Sequence, residues 1–180
     1  GIAVNKMPIR KASELFGIVN IVFFSPEDLN IIKNGPSERR RFIDLELSQL
    51  DKVYLSNLSN YNRIVNQRNH LLKDLARQEA GGSSLAETLD IWDMQLAGYG
   101  EKIIKARKKF MVQVNDIISD IHRKLTGGLE NIEVKYEPDT KGEPLQEALR
   151  RGRERDLRMR STGCGPHRDD ICFMTNGIDI

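Results

Sequence analysis

Between Ser37 and Gly128 apolar residues recur every three or four positions, and this spacing organises the chain. The recurrence runs from Leu89 through Trp92, Leu96, Tyr99, Ile103, Ala106, Phe110, Val114, Ile117 and Ile121 to Leu125, one stripe on one helix face. Leu58, Tyr61, Val65, Leu72 and Leu75 repeat it upstream. No proline occurs in the stretch, and no glycine from Ser37 to Ala80. Neither the lost donor of proline nor the entropic cost of glycine therefore interrupts a helix there. Gly81-Gly82-Ser83-Ser84 divides the stretch into two arms of similar length, and two such stripes on a short link predict an antiparallel hairpin. The first arm reads as two helices, 37–49 and 51–78, with Asp51 capping the second. The second arm reads as one helix, 84–126, opened by a capping box of Ser84 and Glu87. An arm of about 42 residues spans roughly 60 Å. Gly98 and Gly100 inside it mark a bend or a close helix contact.

Outside the arms the period changes. Residues 2–9 suggest a short edge strand stopped by Pro8, with 5–9 resembling the second half of a hairpin. Residues 11–16 suggest one or two helical turns ended by Gly17, and 20–24 (NIVFF) a buried strand. Ser25-Pro26-Glu27-Asp28 reads as a helix start, with Ser25 as N-cap and Asp28 three residues on, for a short helix 26–33. After Gly127-Gly128, residues 132–136 (IEVKY) alternate as a half-exposed strand. Residues 138–144 form a polar turn, 145–159 an arginine-rich helix, and 161–180 strands with a turn at Asn176-Gly177. The predicted fold class is α+β, a long antiparallel helical hairpin projecting from a small set of β-strands. Residues 1–36 form its root, 37–128 the arm with its turn near 81–84, and 129–180 the return segment. Gly1 stands where a methionine is expected and both ends read as interrupted hairpins, so the chain reads as the middle of a longer protein.

Composition narrows the picture only slightly. Charged residues make up 30% and hydrophobic ones 39% of the 180, and the net charge of +2 argues for no partner by itself. No apolar run approaches the roughly 20 residues of a membrane span. Two cysteines without a CxxC fit a reducing cytosol, and a cytoplasmic location is expected.

Local clusters carry more. Arg150, Arg151, Arg153, Arg155, Arg158 and Arg160 stand against Glu154 and Asp156, a local charge of +4 from residues 150–160. Such density suits phosphate contact, or a solvated helix with its own ion pairs. Lys102, Lys105, Arg107, Lys108 and Lys109 read as the outer face of a long helix. Arg39, Arg40 and Arg41 follow a helix start and can bind an anion or pair with Glu38, Asp44 and Glu46. Gly165-Pro166-His167-Arg168-Asp169-Asp170 joins a turn to four ionisable residues, as a functional loop or a structural turn with internal salt bridges. Glu27 and Asp28 follow a predicted buried strand, as a simple cap or as carboxylates near Mg²⁺-bound water or a nucleotide. No Walker A string, GxSxG, HExxH or CxxC occurs, so the chain by itself is expected to be no enzyme, with no catalytic residue, metal or cofactor of its own.

In this order, FSPEDL (24–29), PSERRRFID (36–44), LSQL (47–50), YNR (61–63), QRN (67–69), WDMQL (92–96), GPHRDD (165–170) and NGID (176–179) resemble the RecF family of bacterial recombinational-repair ATPases, of the SMC-like ABC class. The resemblance covers nearly the whole chain. One departure is Cys164, where a branched aliphatic residue is expected. The resemblance implies a Walker A loop upstream, a signature and Walker B downstream, and in the intact protein ATP with Mg²⁺, slow hydrolysis and an ATP-dependent homodimer. It also implies binding to DNA at gaps or single-strand/duplex junctions, and a RecR-like mediator partner that helps load recombinase. In that picture Arg39, Arg40, Arg41, Arg150, Arg151, Arg153 and Arg155 are the candidates for DNA phosphate. Glu27, Asp28, His167, Arg168, Asp169 and Asp170 are candidates for a position near the head and its nucleotide. The competing readings are a helical module that recruits RecR without touching DNA, a spacer in another SMC-like protein, and a metal-dependent enzyme.

Overall fold

The computed structural model describes residues 3–16, 18–19, 25–75 and 83–180. The strand expected over 20–24, the stop at Gly17 and the tip at Gly81-Gly82 lie outside the described residues. The N-terminal stretch folds back on itself and is not a single edge strand: β1 (Ala3–Val4) pairs antiparallel with β2 (Met7–Pro8). Asn5 and Lys6 between them both have positive φ, 50° and 68°, the handedness that suits a two-residue hairpin. A 3-10 turn, Ala12–Leu15, occupies the expected helical turn. The next helix starts as a 3-10 turn, Pro26–Leu29, and runs into α1 (Asn30–Lys33). Asp28 accepts the Ser25 backbone N–H at 2.7 Å, while the Ser25 hydroxyl donates to Glu27 at 2.6 Å.

The first arm is two helices, α2 (Pro36–Leu50) and α3 (Lys52–Leu75). Asp51 separates them in an extended conformation and caps the second, accepting the Val53 N–H at 2.7 Å. The second arm is one helix of 43 residues, α4 (Ser83–Leu125), about 65 Å long. Its N-terminus lies one residue before the expected cap. Side-chain pairings show α3 and α4 to be antiparallel. Tyr54 meets Arg107, Tyr61 faces Gly100, and Arg68 meets Asp93. Each step of seven along α3 is a step of seven back along α4, two helical turns at a time. Gly100 is the close contact anticipated from sequence, since a Cβ there would overlap Leu145 Cδ2 and lie 3.2 Å from Tyr61 Cε2. Gly98 faces open space.

The α4 stripe departs from expectation at its C-terminal end. Residues from Leu89 to Val114 lie in or against the core, but Ile117, Ile121 and Leu125 are exposed. The reason is length: α3 starts at Lys52, at the level of Arg107, so beyond that level α4 loses its partner on that side. There it packs on a three-stranded antiparallel sheet, β3 (Ile132–Glu137), β4 (Asp170–Thr175) and β5 (Ile178–Asp179), in that order. Asn115 of α4 covers the free edge of β3, its side chain bonding both the N–H and the C=O of Val134 at 2.7 Å. The expected single helix 145–159 is two, α5 (Leu145–Arg151) and α6 (Arg153–Met159), broken at Gly152. Arg160 ends α6 with φ 53°.

Candidate functional site

Two arginines are built into the hairpin seam. Arg107 of α4 is buried where the arm meets the sheet. Its guanidinium donates to Asp44 of α2 at 2.7 Å, to Asp169 at 2.9 Å, to the Pro166 carbonyl at 2.8 Å and to the Tyr54 hydroxyl at 3.1 Å. Tyr54 donates in turn to Asp44, and Tyr136 of β3 to Asp169. The Asp139 N–H reaches the other Asp169 oxygen at 2.9 Å. Burial raises both tyrosine pKa values, helped by the facing carboxylates, so both hydroxyls remain donors. Burial alone would lower the pKa of Arg107. The surrounding Tyr54, Asp44, Tyr136 and Asp169 outweigh it and hold the pKa well above its ordinary value.

Fourteen residues beyond Tyr54 along α3, Arg68 is also fully buried. It donates to Asp93 at 2.8 Å, to Asp156 of α6 at 2.7 Å and to the Thr162 hydroxyl at 3.0 Å. Arg153 shares Asp93 at 2.7 Å and also binds Asp90. Asp156 accepts the Gly163 N–H at 3.0 Å, and Asn69 accepts both the N–H and the hydroxyl of Thr162. Arg68 Nη2 has no partner among the described residues.

Between these layers lies His167. Its Nε2 is 3.0 Å from the Thr162 carbonyl, which can only accept, so the proton sits on Nε2. Nδ1 therefore accepts from the Tyr61 hydroxyl at 2.7 Å. Burial, with Arg168 adding to it, pushes the imidazole pKa below its ordinary value, against the raising effect of the Thr162 carbonyl. Gly165 before it has φ 118°, and a Cβ there would sit 2.5 Å from the Tyr61 hydroxyl, so this turn accepts only glycine.

The structure brings some predicted residues together and separates others. Arg39 meets the far end of the chain, binding both Asp170 oxygens at 2.7 and 2.9 Å and the Asn34 carbonyl at 2.7 Å. The Arg39 hydrogen bond holds the Asp170 pKa down against the effect of burial. Arg40 donates to the Asp169 carbonyl at 2.8 Å, while Arg41 points into solvent. Thus the strings at 36–44 and 165–170 form one cluster. Within it His167 bonds neither Asp169 nor Asp170, which serve Arg107 and Arg39. Glu27 and Asp28 lie elsewhere, on the rim of an apolar groove of about 650 Å³ floored by Met111, Val134, Ile171 and Phe173. Among the described residues no three His, Cys, Asp or Glu side chains are grouped to hold a metal ion.

Of the arginine-rich helix, Arg153 is held by Asp90 and Asp93. Arg150 is 3.5 Å from Asp90, Arg151 is 2.6 Å from Glu143 and Arg155 is 3.5 Å from Asp156, yet all three remain exposed. Arg168 is exposed. Cys164 packs in the core, and burial pushes its thiol up to about 12.

Sequence reasoning missed Arg68 and Arg107 as structural centres and assigned Arg107 to the outer face. Lys102, Lys105, Lys108 and Lys109 are indeed outside. Arg107 turns in because buried Asp169 and Asp44 offer it partners. The available signal was spacing: Arg68 falls seven residues after Tyr61, inside the apolar stripe.

No family model matches the chain. The DNA replication and repair protein RecF of Lachnospira eligens is 62% identical over all 180 residues, which make up 49% of its length. RecF of Agathobacter rectalis is 58% identical over the same span and share. A solved structure of the recombination mediator protein RecF-ATP in the RecFOR pathway superposes with a TM-score of 0.87 at 33% identity, covering 97% of this chain and 48% of that one. The chain spans about half the length of the curated relatives it matches. Identity along its full length, together with the same fold in a solved RecF, shows that the chain belongs to the RecF family.

Proposed function

We propose that this chain is the arm-bearing portion of a RecF-type protein acting in DNA replication and repair, where it binds DNA at gaps or single-strand/duplex junctions. The observation that carries the reading is 62% identity to a RecF protein across every residue of the chain. Nucleotide binding with Mg²⁺, ABC-type ATP hydrolysis and ATP-dependent homodimerisation would belong to the intact protein, since the 180 residues contain no Walker A string. The arm would then act as a lever whose angle depends on head closure, with a RecR-like mediator as partner in loading recombinase.

Within this reading Arg150, Arg151 and Arg155 are the phosphate contacts. Their ion pairs are exposed, so water and salt already compete with them and phosphate can replace the carboxylates. Arg39 and Arg153 are committed to Asp170 and Asp93 and serve to position. Replacing Arg150, Arg151 and Arg155 together by alanine in the intact protein is expected to flatten the dependence of log K on log salt by about 2–3, at roughly 0.7–0.9 per lost phosphate contact. An unchanged slope would remove these residues from the DNA interface.

A second reading has one observation in its favour. Each of Arg150, Arg151, Arg153 and Arg155 has a carboxylate within 4.0 Å, as in a helical module that recruits the RecR-like mediator without touching DNA. Capture of purified RecR by the same triple variant, with DNA affinity also intact, would favour it.

A further inference from the structure

The carboxylates around the arm root are unevenly shared. Asp170 is taken by Arg39, and Asp44 and Asp169 by Arg107. Arg40, between them, has no ion-pair partner among the described residues. Its Nη1 is fixed on the Asp169 carbonyl, and the rest of the guanidinium is left over. Burial lowers its pKa, and the neighbouring Arg107 and then Arg168 press in the same direction, against Asp170 and Asp169. A half-buried cation without a counter-ion is costly.

Arg40 lines a cavity of about 480 Å³ between α2, α3 and the turn at Pro166, within the range of small-molecule sites. Arg41 stands beside it, its nearest carboxylate being Glu38 at 4.0 Å. Ser37 and Asn62 line the same space, and both are exposed. The back wall is Tyr61 and His167, a neutral pair locked to each other. Arg40 and Arg41, with Ser37 and Asn62, thus line one cavity open to solvent, whose third arginine, Arg107, and only carboxylate, Asp44, are already bound to each other.

We propose that this cavity binds a phosphate group, with Arg40 and Arg41 supplying the charge and Ser37 and Asn62 further donors. Arginine forks match phosphate oxygens in pairs, and the fixed Nη1 leaves the other edge of Arg40 preset for such contact. The phosphate can come from a nucleotide or from a nucleic-acid backbone. The site does not involve the arginines of α5 and α6 on which DNA binding is tested above, so the two proposals can fail separately.

The test is calorimetric titration of the chain with inorganic pyrophosphate, with ADP and with a short thymidylate single strand. Arg40→Ala and Arg41→Ala are each expected to weaken binding about tenfold or more, as the loss of a charge-assisted hydrogen bond requires. Arg158→Ala, at the exposed face of α6, is expected to change nothing. Asn62→Asp puts a negative charge at the cavity mouth without touching the core, and is expected to weaken the same probes even where Arg40→Ala fails to fold. Pyrophosphate and ADP responding to these variants support a nucleotide phosphate. The single strand alone responding supports a backbone phosphate. Absence of binding for all three probes at millimolar concentration, or binding indifferent to both Arg41→Ala and Asn62→Asp, overturns the site.

Discussion

The layers at Arg68 and Arg107 look alike and are balanced differently. Each has a fully buried guanidinium on the α3–α4 seam and two aspartates. In the Arg68 layer, Arg153 is a second cation, so Asp93 keeps a partner whichever arginine is lost. In the Arg107 layer one guanidinium serves Asp44 and Asp169, and those aspartates come from α2 and from the turn before β4. Among the described residues Arg107 is thus the one cation paired with either of these aspartates, whereas the Arg68 layer, which also joins the two arms to the return segment, has a second. The lesson is that a buried ion cluster is judged by what remains after a deletion, since uncompensated charge is what costs.

That difference sets the largest expected effect. Arg107→Ala leaves two carboxylates without their guanidinium, and a loss of about 3–5 kcal/mol is expected in urea unfolding. Arg68→Ala leaves Asp93 on Arg153 and Asp156 3.5 Å from Arg155, so each carboxylate keeps a cation and the cost is expected at or below the lower end, about 3 kcal/mol. Equal costs, or the reverse order, would break the comparison.

The layer between them sharpens it with packing in place of charge. Gly100→Ala forces a methyl into Leu145 and Tyr61, and overpacking of this kind costs about 1–3 kcal/mol. Gly98→Ala, two residues away with nothing near it, is expected to gain up to about 1 kcal/mol from helix propensity. Opposite signs in thermal unfolding are the expected outcome. A loss at both positions would mean that the backbone, and not the Tyr61 contact, requires glycine.

How much of this was legible in the sequence follows from range. The helices, the Asp51 break and the Asn176-Gly177 turn are set by neighbouring residues: caps, glycines and a period of three to four. They were readable for that reason. The antiparallel seam was readable because two stripes joined by a short link have few other ways to bury themselves. Pairings such as Arg39 with Asp170 and Arg68 with Asp156 span 131 and 88 residues, and local pattern carries no trace of them. Charge made matters worse. Arg107 sits among four exposed lysines and shares their composition, and only burial of its partners distinguishes it. The exposed end of the α4 stripe was illegible for another reason, because the stripe is continuous while the helix that covers it is shorter.

The smallest expected effect tests the neutral link of the middle layer. The folded-state pKa of His167 lies below the ordinary 6.5 because burial disfavours its charged form. As pH falls below about 6.5 the unfolded chain takes up a proton that the folded chain resists, so the unfolded state binds more protons and stability falls with pH. The contribution is complete above that pH and is lost as pH drops toward the depressed value. His167→Asn removes this titration and keeps an acceptor for the Tyr61 hydroxyl. Both proteins carry His70 and His122, so the difference between their stabilities isolates position 167. Urea midpoints at pH 7 and pH 5 are expected to separate more in the unmodified chain than in His167→Asn. Parallel losses would mean that His167 titrates as freely as an exposed imidazole, and that the Tyr61–His167–Thr162 link does not hold it neutral.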